Sequence, residues 1–332
     1  MHILVTGGAG FIGSHLIDLL LQNSENRVTV IDNLSTGSSG NIVQHFLEPR
    51  FQLFNESILW ENDLHLLAKE KIKEPIDVVV HLAAAVGVKN VVDNPLHAME
   101  TNIRGTENIL KIFGSGKRVI VASSSEVYGK SEDFPLKENG DCVYGPSKNV
   151  RWNYAYSKAI DEFQTLCMTQ AGILRGTVLR FFNVIGTRQV GAYGMVVPNM
   201  IDRALDNKPI DIYGQGDQKR CFTDVRNVVR GIYNAIYSED AVGEVINLGS
   251  TNEISIVDLA RLIQELCGNG NKKLNFISYR EAYGENFEDM RRRVPDLRKA
   301  NTMLNYHSQI TLQDAIETII SDKKCLRKEY VL

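Results

Sequence analysis

The stretch that most constrains this chain is its start. His2-Ile-Leu-Val-Thr6 is an apolar run that ends in Gly7-Gly-Ala-Gly-Phe-Ile-Gly13, and these glycines lead into Ser14 to Asn23, with Leu16, Leu19 and Leu20 at helical spacing. A second apolar run, Arg27-Val-Thr-Val-Ile31, stops at Asp32-Asn33. The pattern predicts strand, tight turn, helix and strand, a βαβ unit of about 30 residues with an acid about 20 positions after the glycines. Gly7 permits the turn, Gly10 lets backbone approach a pyrophosphate at the helix N-terminus, and Gly13 allows the helix to sit close on the strand. Asp32 is placed to accept hydrogen bonds from an adenosine ribose. An acid there would repel the extra phosphate of NADP, so the expected cofactor is NAD.

Further strands are expected at Phe51 to Phe54, Asp77 to Leu82, Arg118 to Ala122, Gly176 to Phe181 and Glu244 to Leu248. Helical patterns fall between them, among them Ala98 to Phe113 and Trp152 to Gln170. Such alternation implies an α/β fold, a Rossmann-type doubly wound parallel sheet. After about residue 182 turns become dense, as at Gly186-Thr-Arg188, Gly191 to Gly194 and Tyr213 to Gly216. Helical patterns at Ile256 to Cys267 and Leu312 to Ser321 complete a smaller α/β C-terminal domain. The expected division is 1–182 for the dinucleotide, with a returning segment near 225–250, and 183–332 mainly for the substrate.

A formal net charge of −3 and a pI near 6.2 argue against nucleic acid or an anionic membrane as the main partner. The five cysteines are widely spaced without a CxxC pair, which favours reduced thiols in a cytoplasmic protein over a disulfide framework. Met1 to Leu21 is apolar but broken by glycines and lacks a basic leader, so it reads as fold rather than address. No uninterrupted apolar run of about 18 residues occurs, so no membrane span is expected. No metal-ligand set is expected either.

The chemistry concentrates at Val121-Ala-Ser-Ser-Ser-Glu-Val-Tyr-Gly129, where an apolar strand ends in three hydroxyls and a carboxylate. In open α/β sheets ligands bind beyond the strands' carboxyl ends. Two segments have the spacing Tyr-x-x-x-Lys. Tyr144-Gly-Pro-Ser-Lys148 contains helix-disfavouring Gly and Pro, whereas Tyr154-Ala-Tyr-Ser-Lys158 runs into a good helix, so Tyr154 and Lys158 are the expected pair. An ammonium one turn from the phenol is expected to lower its pKa toward neutrality and make it a usable base.

These residues resemble the extended short-chain dehydrogenases that modify nucleotide sugars. The matching pieces are Gly7 to Gly13, Asp32-Asn33, His81-Leu-Ala-Ala84, Ser123 to Gly129, Tyr154 with Lys158, Leu179 to Asn183 and Arg220-Cys-Phe-Thr-Asp224. The resemblance implies NAD bound by Gly7, Gly10, Phe11, Ile12, Gly13, Asp32, Asn33, Ser57, Ile58, Leu82, Ala83, Ala84, Asn102, Tyr154 and Lys158. It implies a nucleotide sugar, expected to be a UDP-sugar, held by Asn183, Arg188, Val197, Tyr213, Arg220 and Arg293. It further implies a 4-keto intermediate formed with Tyr154 as base and Ser124 on the same hydroxyl, and a homodimer through the helix of Tyr154 and the one from Ala98 to Phe113.

The fate of the 4-keto sugar turns on Ser125 and Glu126. In 4-epimerases resembling this chain the position of Glu126 is usually not a carboxylate. Glu126 resembles instead the 4,6-dehydratases and UDP-glucuronate decarboxylases. Gly145 to Tyr154, Gln218 to Asp224 and Phe287-Glu-Asp-Met-Arg-Arg-Arg-Val-Pro295 are similar to decarboxylase segments, the last placing Arg293 in the active site. The leading expectation is therefore a UDP-glucuronate decarboxylase-like enzyme, with a UDP-glucose or UDP-N-acetylhexosamine 4-epimerase second and a nucleotide-sugar 4,6-dehydratase third. Glu126 is expected to be paired or to carry a raised pKa, because a second carboxylate arrives with the substrate.

Overall fold

A continuous apolar strand is stable only when both of its faces are covered, and the central strands here are of that kind. The computed structural model describes residues 1–270, 272–283 and 290–329. Its first half alternates β1 (His2–Thr6), α1 (Phe11–Leu21), β2 (Arg27–Ile31), β3 (Phe51–Phe54), α2 (Glu61–Leu66), β4 (Val78–His81), α3 (Val88–Asp93), α4 (Pro95–Phe113), β5 (Arg118–Ser124), α5 (Asn153–Gln170) and β6 (Arg175–Phe181). With the later strand Val245–Leu248 these form a seven-stranded sheet, in the order Val245–Leu248, β6, β5, β4, β1, β2, β3. All its pairings are parallel. The order reverses between β1 and β4, so a crevice opens there at the strands' carboxyl ends.

One face packs Leu16, Ile17 and Leu20 of α1 and Val228, Val229 and Ile232 of the helix Val225–Tyr237 against Val5, Val30 and Val80. The other packs Leu64, Ile109, Leu110 and Phe113 against Leu4, Val79 and Val121. Each such side chain contributes roughly 1.5–3 kcal/mol by leaving water. A separate cluster around Val197, Ile201, Ile212, Leu259, Ile263 and Ile316 forms the core of the C-terminal half.

The structure moves several expected boundaries. Helix α1 begins at Phe11, inside the glycine motif, because Gly10 is extended (φ −75°, ψ −177°) and acts as its N-cap. Helix α4 begins at Pro95, whose fixed φ suits a first helical turn. The strand expected over Asp77 to Leu82 is confined to β4, and the last helix, Leu312–Glu329, continues well beyond Ser321. Phe287, Glu288 and Asp289 lie outside the described residues.

The carboxyl end of β5 is fixed from below. Ser123 donates to Glu162 Oε1 at 2.5 Å, and Arg180 on neighbouring β6 grips both oxygens of Glu162 at 2.9 and 2.7 Å. All three are buried, and the Arg180 guanidinium lies 4.6 Å from the Tyr128 ring centre. Glu162 belongs to α5, so this pair sets the distance between the serines of β5 and the helix bearing Tyr154.

Candidate active site

The glycine turn, the end of β5 and the start of α5 open into one cavity of about 630 Å³, within the size range of small-molecule sites. Its dinucleotide half is shaped by absent side chains. Gly7 has φ +71°, and a Cβ there would stand 2.7 Å from the Ala83 nitrogen. A Cβ on Gly13 would stand 2.2 Å from the Gly7 carbonyl oxygen, so only glycine lets α1 sit on the turn. No side chain caps the N-terminus of α1, which leaves its first amides to an anion. Asp32 Oδ2 accepts from Ala9 N and Oδ1 from Leu34 N, both at 2.8 Å, which fixes the carboxylate at the cavity wall. Burial pushes its pKa up, and the two amides oppose that. The residues present thus fit a dinucleotide: a cradle for a pyrophosphate and an acid for a ribose.

Ser124 and Tyr154 meet at the floor of the cavity, where the serine hydrogen-bonds the phenol. The expected lowering of the Tyr154 pKa is not what the structure shows. Burial pushes the phenol up and Glu126 adds to this, outweighing Ser124 and Arg151. Lys158 Nζ is turned to Asp161 Oδ2 at 2.7 Å, with both side chains buried. A buried ammonium gains more from a carboxylate than from a neutral phenol.

Of the two expectations for Glu126, paired or raised in pKa, the structure shows the first: it is paired, and its pKa is lowered. Its oxygens meet Arg151 at 2.5 Å and Arg293 at 2.8 Å. Burial alone would raise its pKa, yet Arg151, then Arg293, with Arg220 beyond, hold it down to about 2. Arg293 also donates to Ser125 at 3.4 Å, a long contact. Its place is set by strand pairing: Arg292–Arg293 lies parallel to Lys219–Cys221 with Arg293 opposite Arg220, and the Leu136 amide bonds the Val294 carbonyl at 2.8 Å. Of the basic run, Arg291 and Arg292 are exposed and Arg293 is buried.

The residues expected to hold cofactor or substrate all line this cavity except Asn102. Asn102 is buried behind it, where it bonds the Ala85 backbone at 2.8 Å and Ser157 at 3.0 Å and so braces the wall. Arg188 reaches the cavity but is tied to Asp18 at 2.8 Å. The residue that sequence reasoning missed is Arg151. Its signal was its position three residues before Tyr154, which in the 3₁₀ turn Val150–Trp152 leading into α5 puts both on one side.

Fold and site together define a dinucleotide-dependent enzyme of the extended short-chain dehydrogenase class, with Ser124, Tyr154 and Lys158 lining its cavity. More particularly, the chain belongs to the NAD dependent epimerase/dehydratase family, whose model matches residues 3–249. Its cofactor is NAD, as the family's description has it. The chain is 38% identical to the UDP-N-acetyl-alpha-D-glucosaminuronate decarboxylase of Bacillus cytotoxicus, over 96% of each chain. It is 34% identical to UDP-glucuronic acid decarboxylase 1 of Xenopus tropicalis, over 96% of this chain and 71% of the relative. Among solved structures it is similar to the UDP-glucuronic acid 4-epimerase of Bacillus cereus in complex with UDP-glucuronic acid and NAD. That match has a TM-score of 0.85 and 31% identity, covering 98% of this chain and 100% of the other. No described helix is long and apolar enough to cross a membrane.

Proposed function

We propose that the chain decarboxylates a UDP-linked hexuronic acid. The observation that carries this reading is the clamp of Arg151, Glu126 and Arg293 beside Ser124 and Tyr154. Two guanidiniums around one carboxylate leave a net positive charge, which suits a second, incoming carboxylate and would serve a neutral hexose poorly.

NAD supplies the hydride acceptor for the sugar's carbon 4 and later the donor that restores it. Tyr154 takes the proton of the 4-hydroxyl, with Ser124 bonding the same oxygen. Once carbon 4 is a ketone, the substrate is a β-keto acid. The bond from carbon 5 to the carboxyl carbon breaks, carbon dioxide leaves, and the electron pair is delocalised onto the carbon-4 oxygen. Ser124 and a protonated Tyr154 donate to that oxygen as an oxyanion site does. Glu126, ionised at neutral pH, orients Arg151 and Arg293 on the substrate carboxylate, and a water protonates carbon 5. Residues 1–182 with 225–250 serve the cofactor, and 183–332 serve mainly the UDP-sugar.

The test is incubation with NAD and either UDP-glucuronate or UDP-N-acetylglucosaminuronate. Release of carbon dioxide with a UDP-pentose is expected from at least one of them, and release from neither would refute the reading. The likeness to a UDP-glucuronic acid 4-epimerase favours a second reading, in which the same clamp holds an intact uronate while carbon 4 inverts; UDP-galacturonate without carbon dioxide would establish it. A homodimer is the proposed assembly, because Leu96 and Met99 of α4 and Ile160 and Phe163 of α5 point apolar side chains outward. A reducing cytoplasm suits the five free cysteines.

A further inference from the structure

Asn247 does not line the cavity, yet its side-chain amide joins the two segments that bring Glu126 and Arg293 together there. Its Oδ1 accepts from the Tyr128 hydroxyl at 2.7 Å, and Tyr128 closes the 3₁₀ turn Ser125–Tyr128 that carries Glu126. Its Nδ2 donates to the Leu136 carbonyl at 3.0 Å and to the Asp296 carbonyl at 3.2 Å. These bonds grip the chain just after Arg293. Leu136 completes the grip, its amide donating to the Val294 carbonyl at 2.8 Å and its carbonyl accepting from the Asp296 amide at 2.9 Å. Asn247 is itself fixed: it lies opposite Arg180 of β6 in the sheet, and its backbone amide donates to Glu138 Oε1 at 2.9 Å. Asn247, Tyr128, Leu136 and Asp296 are all buried, so bulk water does not compete for these bonds. Because a carbonyl only accepts, the donor end of the amide must face residues 136 and 296 and its oxygen must face the phenol. A Leu of similar size has neither end.

We infer that Asn247 is a positioning residue that sets Arg293 against Glu126 and thereby gives the site its preference for a carboxylated sugar over a neutral one. The inference rests on the reading of the arginine clamp as a seat for the substrate carboxylate. The chain is held on both sides of Arg293. Before it, Arg292–Arg293 pairs with Lys219–Cys221, which ties it to the C-terminal half. After it, the bonds of Leu136 and Asn247 tie residues 294 to 296 to the central sheet and to the turn of Glu126. A guanidinium and a carboxylate pair well only in one relative geometry, so a shift of about 1 Å in either loosens the clamp. Asn247 acts through Arg293 and touches no reacting atom.

The test measures binding of UDP-glucuronate and of UDP-glucose by calorimetry with NAD present, in a Tyr154→Phe background so that neither sugar turns over. Asn247→Leu is expected to weaken UDP-glucuronate about tenfold while leaving UDP-glucose and NAD affinity unchanged. Equal weakening of both sugars, or of neither, overturns the inference. The clamp reading is tested separately by the protein that retains Asn247: if it shows no preference for UDP-glucuronate, that reading fails, and the positioning of Arg293 is read without any sugar. For this, urea midpoints are compared. Asn247→Leu is expected to lower the midpoint less in Glu126→Gln than beside the native Glu126, because the pair it supports is already broken there. Equal shifts in the two backgrounds overturn the inference. Should Asn247→Leu not fold, Tyr128→Phe takes its place in both comparisons. It deletes one hydroxyl and leaves both Nδ2 bonds, so a smaller effect in the same direction is expected, and the same outcomes overturn the inference.

Discussion

Replacing Glu126 by Gln tests whether the arginine clamp is an energetic unit. The carboxylate is 12% exposed, between Arg151 at 5% and Arg293 at 8%. Its pKa is brought from 4.5 to about 2, a difference of about 2.5 units. At about 1.36 kcal/mol per unit, its charged form is favoured in the folded state by about 3 kcal/mol. A depressed carboxylate contributes this fully above its unfolded pKa and loses it as pH falls through the folded one. Glu126→Gln is therefore expected to unfold in urea about 3 kcal/mol more easily at pH 7, in line with the roughly 3–5 kcal/mol for leaving a buried charge unpaired. By pH 3.5, one unit below 4.5, about 1.4 kcal/mol of the gap should be gone. The assay is equilibrium denaturation of both proteins at the two pH values. A gap under about 1 kcal/mol at pH 7, or one that does not narrow with acid, would refute the idea that the arginines hold Glu126 ionised.

Gly13→Ala places a methyl group 2.2 Å from the Gly7 oxygen, so α1 must lift from the turn; a stability loss of about 1–3 kcal/mol and NAD binding weakened at least tenfold are expected by denaturation and calorimetry. His81, buried neutral, has its pKa lowered from 6.5 to about 3, so its contribution is full above the unfolded value and is lost as pH falls below it, by up to about 1.4 kcal/mol per unit. His81→Asn should flatten the stability profile between pH 6.5 and 5 by about that slope, and parallel profiles would argue against a neutral His81. Phe163, 70% exposed on α5, is expected at the dimer contact, so Phe163→Asp should sediment as a monomer while keeping its NAD affinity.

Much of the fold was legible because its signals are local. A strand, a glycine turn, a helix and an acid within 32 residues can be arranged in few ways, and each glycine has a steric reason that needs no distant partner. Ser124 and Tyr154 were readable for the same reason, one ending an apolar strand and the other opening a helix. Arg293 was readable only through a resemblance, and its contact with Glu126 depends on pairing with the strand Lys219–Cys221 and on the Leu136 bridge. Asn102 looked like a cofactor contact, yet the packing of α4 on α5 turns it to Ser157.

Lys158 shows where local pattern ends. Helical spacing offers its ammonium both Tyr154 and Asp161, and the sequence by itself determined only that both were within reach. Burial decided between them. Once α4 and α5 close over the pair and exclude water, the ammonium lies lowest beside the Asp161 carboxyl, and burial itself pushes the phenol's pKa up.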